Sequence, residues 1–210
     1  MKKNWIAKMT WTIVGTILSV IVMAQEKHAL LLRYGVKAGV QLSTIQRGNN
    51  ESFSSLKIKP MLGYQVGGFA TMRLSDDFSL QTELFFSNQG FKESMILNMG
   101  GGEIEDFTEK YAIRYIKLPL LLRYRVAEKF FIEAGPQFGL FVSSSIERDE
   151  WVHFKKFDLA GALGAEYILS NKLSVQFRYA HSFAKVDNIE DYLWVPERPR
   201  VFSLGLAYSF

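Results

Sequence analysis

Between Ala112 and Val142 apolar and polar residues alternate with a period of two. Ile116, Leu118, Leu120, Leu122, Tyr124 and Val126 share one parity; Tyr115, Lys117, Arg123 and Arg125 share the other. After the polar turn Ala127-Glu128-Lys129 the pattern resumes, with Phe130, Ile132, Ala134, Phe138, Leu140 and Val142 alternating with Glu133, Gly135, Gln137, Gly139 and Ser143. Successive side chains of a strand point to opposite faces, so this pattern predicts a β-hairpin. Its strands are longer than the usual 5–6 residues of a soluble sheet. One face is almost free of charge and the other carries several, as in a membrane barrel with greasy outside and polar lumen.

The same alternation marks six further strands, at about residues 32–42, 61–74, 78–88, 157–169, 173–183 and 201–210. The segments 43–59, 90–110, 144–156 and 187–199 read as long polar connections, and Ser75-Asp76-Asp77 and Ser170-Asn171-Lys172 as tight turns. Connections therefore run long, short, long, short, long, short, long. Short periplasmic turns, long outer loops and an even strand number are the rule for an outer-membrane barrel. The predicted fold is all-β, an eight-stranded antiparallel up-and-down transmembrane β-barrel. A soluble lipocalin-like barrel would bury its apolar parity. Its inward set here would be Lys37, Glu83, Arg123, Glu133, Glu166 and Arg178, a poor apolar pocket.

Turn lengths fix a register. The first hairpin sets Val126 opposite Phe130, and hence Arg123 opposite Glu133. The turn at 170–172 sets Leu169 opposite Leu173, hence Glu166 opposite Gln176 and diagonal to Arg178. Charges in so narrow a lumen are expensive unless paired, so the expected filling is an ion-pair network of Arg123 with Glu133 and Glu166 with Arg178. Pro119 and Pro136 cannot donate to a ladder, and a local bulge is expected there. The last strand places Leu204, Leu206, Tyr208 and Phe210 on the lipid side. Tyr208 and Phe210 are expected to anchor it at the headgroups and to serve as an assembly signal.

Composition changes the picture mainly at the start. A basic Met1-Lys2-Lys3 opening, an apolar run at 13–23 and Val22-Met23-Ala24 predict a signal peptide over residues 1–24, cleaved after Ala24, with the barrel domain over 25–210. Its apolar run is short for the ~20 residues of a spanning helix. Lys2, Lys3 and Lys8 leave with it and no acid does, so the net charge falls from +4 to +1. That gives no reason to expect a nucleic-acid partner. The chain holds no cysteine, so an exported form does without disulfides, as a barrel without free edges can. Aromatic residues make up 14% of the chain, enough for girdles at two interfaces.

The run from Tyr115 through Lys117-Leu118-Pro119 to Arg123-Tyr124, with Ala134-Gly135-Pro136, Gly139, Phe157-Asp158, Gly161 to Gly164 and Arg178-Tyr179, resembles the PorT-like family of outer-membrane β-barrels. The likeness extends over nearly the whole mature chain. It implies the same fold and location, and a role connected with a protein-secretion system.

Other chemistry finds little footing. The histidines, His28, His153 and His181, form no ligand motif, and there is no nucleophile elbow. His181 and Ser182 are adjacent in a strand and should face opposite ways, which disfavours a base–nucleophile pair. Catalytic, cofactor and metal sites are therefore all read as none. Met95, Ile96 and Leu97, and Leu193 and Trp194, are apolar residues in outer connections. They either fold over the barrel mouth or form a docking surface for another envelope protein. The expected partners are outer-membrane lipid, the barrel assembly machinery and other envelope or secretion proteins. The expected function is a non-enzymatic interaction or assembly component; the alternatives are a lipid-modifying enzyme and a small-solute porin. Open porins have 16–18 strands, and eight leave room only for side chains.

Overall fold

The computed structural model describes residues 32–46, 56–98, 104–145, 156–183 and 198–210, with side chains at 46, 56–57, 95–98 and 104–107 excepted. The segment read as a signal peptide, His28, His153, Leu193 and Trp194 lie outside these residues.

Eight strands follow the alternation. They are β1 (Leu32–Gln46), β2 (Leu56–Arg73), β3 (Phe78–Asn98), β4 (Ile104–Ala127), β5 (Phe130–Ser144), β6 (Phe157–Ile168), β7 (Leu173–Ser182) and β8 (Arg198–Ser209). Each pairs antiparallel with its sequence neighbours, and β8 returns to β1 to close the ring. Closure runs from Gly35 opposite Ser209 to Gln46 opposite Arg198. The Phe210 amide adds a bond to the Tyr34 carbonyl at 3.1 Å. Every strand of the ring thus has two neighbours, and the barrel wall has no open edge to recruit another chain.

The short turns are built as the sequence suggests. Leu74 and Ser75 donate their amides to the Phe78 carbonyl at 2.9 and 3.0 Å, and the Ser75 hydroxyl accepts from the Phe78 amide at 3.1 Å. Leu169 and Ser170 repeat the arrangement on the Leu173 carbonyl.

Three expectations require correction. Residues 90–110 are not a polar loop: β3 and β4 continue as a paired hairpin from Gly90 opposite Ala112 to Asn98 opposite Ile104. Met95, Ile96 and Leu97 belong to it, opposite Phe107, Asp106 and Glu105. β2 accompanies β3 as far as Leu56 opposite Met95, while β4 pairs with β5 only from Ile113; the ladder meets the backbone hydrogen bonds despite the glycines and acids. Second, Phe130 pairs with Ala127 rather than Val126, because the register shifts after Arg125. Third, the prolines cause no bulge. The pairings on either side of Pro119 and Pro136 keep one register, and only the pairs at the missing donors are omitted. The β4–β5 shifts fall at Arg114/Tyr115 and Arg125/Ala127 instead.

Inside and outside are sharply different. Leu204, Leu206 and Tyr208 of β8, Leu118, Leu120 and Leu122 of β4, and Val36 and Val40 of β1 all face outward and are exposed. A belt of this extent is foreign to a water-soluble surface. At the short-turn end it closes with rings: Tyr34 lies 5.8 Å from Phe210, Tyr208 5.9 Å from Phe210, and Phe78 5.1 Å from Tyr124. Inside, the long-loop end is filled by Ile45, Phe91, Ile113 and Tyr115, backed by Ile58, Tyr111 and Phe141. The middle of the lumen is polar.

Candidate functional site: the charged plug of the lumen

Eight charged residues are buried among the described residues: Lys37, Lys117, Arg123 and Arg178 against Glu83, Glu133, Asp158 and Glu166. Four of each sign leave the plug neutral. Each ion gives up several kcal/mol of hydration on burial, so neutrality and dense pairing are what make the filling tolerable.

Arg178 of β7 is the hub. Its Nη1 and Nη2 donate to the two carboxylate oxygens of Glu83 at 2.7 and 2.8 Å. Its Nε and Nη2 also donate to Glu133 Oε1 at 2.9 and 2.5 Å. The planar guanidinium fork suits this bridging of two carboxylates. Lys37 donates to Glu83 Oε2 at 2.6 Å, and the Gln81 amide to Oε1 at 2.7 Å. The Thr71 hydroxyl then supports the Gln81 oxygen at 2.9 Å.

Arg123 pairs with Glu166, which also accepts from the Gln176 amide at 3.1 Å. The Arg123 guanidinium lies over the Phe131 ring at 4.7 Å. Between Arg123 Nε and Glu133 Oε2 the gap is 4.0 Å, an ion pair without a hydrogen bond.

All six charged residues expected in the lumen are thus buried there, but their partners are exchanged. The expected Glu166–Arg178 pair gives way to Arg123–Glu166, and Arg178 takes Glu133 and Glu83. The cause is Gly164. In register it lies between Glu133 on β5 and Arg178 on β7. With no side chain there, the two charges meet directly over the intervening strand. A Cβ on Gly164 would sit 2.9 Å from Glu133 Oε1.

A second cluster, Lys117–Asp158–Ser182, went unanticipated. Lys117 pairs with Asp158, whose other oxygen accepts from the Ser182 hydroxyl. The same device is at work: Lys117 faces Gly139, and Gly139 faces Asp158. A Cβ on Gly139 would approach Lys117 Nζ to 2.9 Å. Opposite charges two strands apart with a glycine between them in register were the available signal.

Above the hub lies a small space of about 10 Å³ lined by residues including Gln41, Gln65, Gln137 and Arg178. That is room for about one water.

His181 and Ser182 face opposite ways, as the alternation requires, and form no dyad. His181 sits in the row of outward rings, 6.5 Å from Tyr179 and 6.2 Å from Phe183, while Ser182 is buried on Asp158. Tyr208 and Phe210 lie in the ring belt at the short-turn end.

A closed eight-stranded ring with an apolar exterior and an ion-paired lumen defines an outer-membrane β-barrel. In keeping with this, residues 23–188 match the outer membrane protein beta-barrel domain family, and the chain belongs to it. Comparison with curated proteins gave no significant match. Among solved structures, Neisserial surface protein A (NspA) is similar with a TM-score of 0.52 at 13% identity, over 84% of this chain and 97% of that one. Ail, the attachment invasion locus protein of Yersinia pestis, gives 0.47 at 14% identity over 85% and 98%. OprG from Pseudomonas aeruginosa gives 0.42 at 16% identity over 85% and 94%. At 13% identity the likeness to NspA is one of fold.

Proposed function

We propose that the chain is a non-enzymatic, PorT-like outer-membrane barrel, exported with cleavage after Ala24, that acts as an interaction or assembly component of the envelope beside a secretion system. The observation that carries this reading is the filled lumen. With Arg178, Glu83 and Glu133 locked across its middle and an apolar cluster at its long-loop end, the barrel interior is a support. Function then falls to what projects from it, above all the extended β3–β4 hairpin. Its apolar stretch Met95-Ile96-Leu97 suits a protein partner, with Leu193 and Trp194 as a second contact. Tyr208 and Phe210 fit a final strand presented to the barrel assembly machinery, because that strand must find β1 to close the ring.

The test is affinity capture from outer membranes with the intact protein and with residues 95–107 replaced by a tight turn. A defined envelope partner that disappears with the hairpin is the expected result. Unchanged capture by a folded variant overturns the assignment of the hairpin.

A further inference from the structure

The short-turn end of the lumen opens into a cavity of about 230 Å³ lined by four arginines, Arg33, Arg73, Arg123 and Arg125, against two acids, Asp76 and Asp77, with Phe131 on one wall. Three of the four arginines have carboxylates. Arg73 Nη2 donates to Asp76 at 2.7 Å, Arg125 lies 3.4 Å from Asp77, and Arg123 is on Glu166. Arg33 has none among the described residues. Its Nε is held by the Ser209 hydroxyl at 2.6 Å, while Nη2 is buried without a hydrogen-bond partner. Arg123 Nε is likewise a buried donor without an acceptor. A buried unmet donor costs about 1–3 kcal/mol, more when charged. Arg123 Nε faces Glu133 Oε2 at 4.0 Å, so the donor on the cavity that calls for an acceptor is Arg33 Nη2.

We propose that this periplasmic mouth is a phosphate-binding site, with Arg33 as its principal ligand and the guanidinium groups of Arg73, Arg123 and Arg125 as its cationic surround. The donors come from different strands, which suits a tetrahedral anion that accepts from several directions better than a planar carboxylate. The cavity is far larger than the one-water space above the hub and has room for a phosphate group and several attached atoms. The Phe131 ring, already under the Arg123 guanidinium, supplies an apolar wall for those atoms. The phosphate is either free in the periplasm or carried on an inner-leaflet lipid headgroup, since the cavity lies at the level of the Tyr34, Phe78 and Phe210 rings.

The test uses the mature chain refolded in zwitterionic detergent and titrated with pyrophosphate, with sodium chloride matched for ionic strength as control. A saturable rise of the unfolding midpoint is expected, with affinity reduced about tenfold or more in Arg33→Gln, the loss of a charge-assisted contact. Arg73→Gln, at the exposed rim, should weaken binding less and guards against a folding defect in the first variant. Stabilisation by phosphatidylglycerol nanodiscs over phosphatidylcholine ones, again dependent on Arg33, assigns the phosphate to lipid; stabilisation by pyrophosphate alone assigns it to a soluble ligand. An equal response to chloride, an Arg33→Gln variant that binds as the parent does, or binding that appears only after residues 25–31 are removed overturns the proposal. The last outcome would mean that the chain fills the site itself.

Discussion

Arg178 and Glu83 stand 95 residues apart, on β7 and β3, and are joined by two hydrogen bonds of 2.7 and 2.8 Å. In a ring of eight, β3 and β7 are diametrically opposite. The bond therefore spans the lumen rather than following the sheet. It ties together two strands that no ladder connects, and with Lys37 and Glu133 it makes one unit of residues from β1, β3, β5 and β7.

Removing the hub should be costly. Arg178→Met leaves Glu83 and Glu133 buried with too little positive charge. Loss of one partner from such a pair costs about 3–5 kcal/mol. Urea unfolding in lipid should show a drop of this size, and Glu83→Gln should recover part of it in the double variant. Strict additivity of the two substitutions would mean that they do not interact across the lumen.

The intact protein should be electrically silent. Planar-bilayer recordings are expected to show no stable large conductance, because the free space above the hub admits about one water. Replacing Lys37, Glu83 and Arg178 together by alanine should open an ion leak. Steady passage of sugar-sized solutes by the unmodified protein would refute the sealed lumen.

The glycines between charges should resist substitution. Gly164→Ala places a Cβ 2.7 Å from the Phe177 carbonyl and 2.9 Å from Glu133 Oε1. Overpacking of this kind costs about 1–3 kcal/mol. Gly68→Ala is the control, since its nearest neighbour would be 3.4 Å away. The two variants should separate clearly in unfolding midpoint; equal effects would remove the role given to Gly164.

Deleting Tyr208 to Phe210 strips the β8–β1 ladder of its pairs at Gly35 and Val36 and of the Phe210–Tyr34 bond. Gel mobility of unheated cell envelopes should show less of the compact, heat-modifiable form. Full yield of folded protein would leave these residues only a place in the ring belt.

Strand parity was legible because one rule governs the whole barrel: a side chain faces lipid or lumen, and the sequence alternates accordingly. Arg123 opposite Glu133 and Glu166 opposite Gln176 followed from turn length alone. The partners of Arg178 did not. A register relates adjacent strands, whereas Glu83 lies across the ring and Glu133 lies beyond Gly164. The β3–β4 hairpin was missed for a different reason. Acids and a glycine run between residues 90 and 110 resemble a solvated loop, and nothing local shows that β2 and β4 pair with this stretch on either side. The vacant donor on Arg33 was equally hidden, because a sequence shows that a charge exists and not whether it has been met.

The bond from Arg178 to Glu83 has a mechanical side. An unbraced hoop of eight strands yields to sideways compression by flattening into an oval, which slides each strand past the next. A brace along one diameter blocks that flattening in its own direction, where Lys37 and Glu133 stiffen its two ends. Lateral pressure from the surrounding lipid is then met by tilting of the whole cylinder rather than by a change in its cross-section. The β3–β4 hairpin continues from a strand that holds one end of the brace, so its root shares that fixed cross-section.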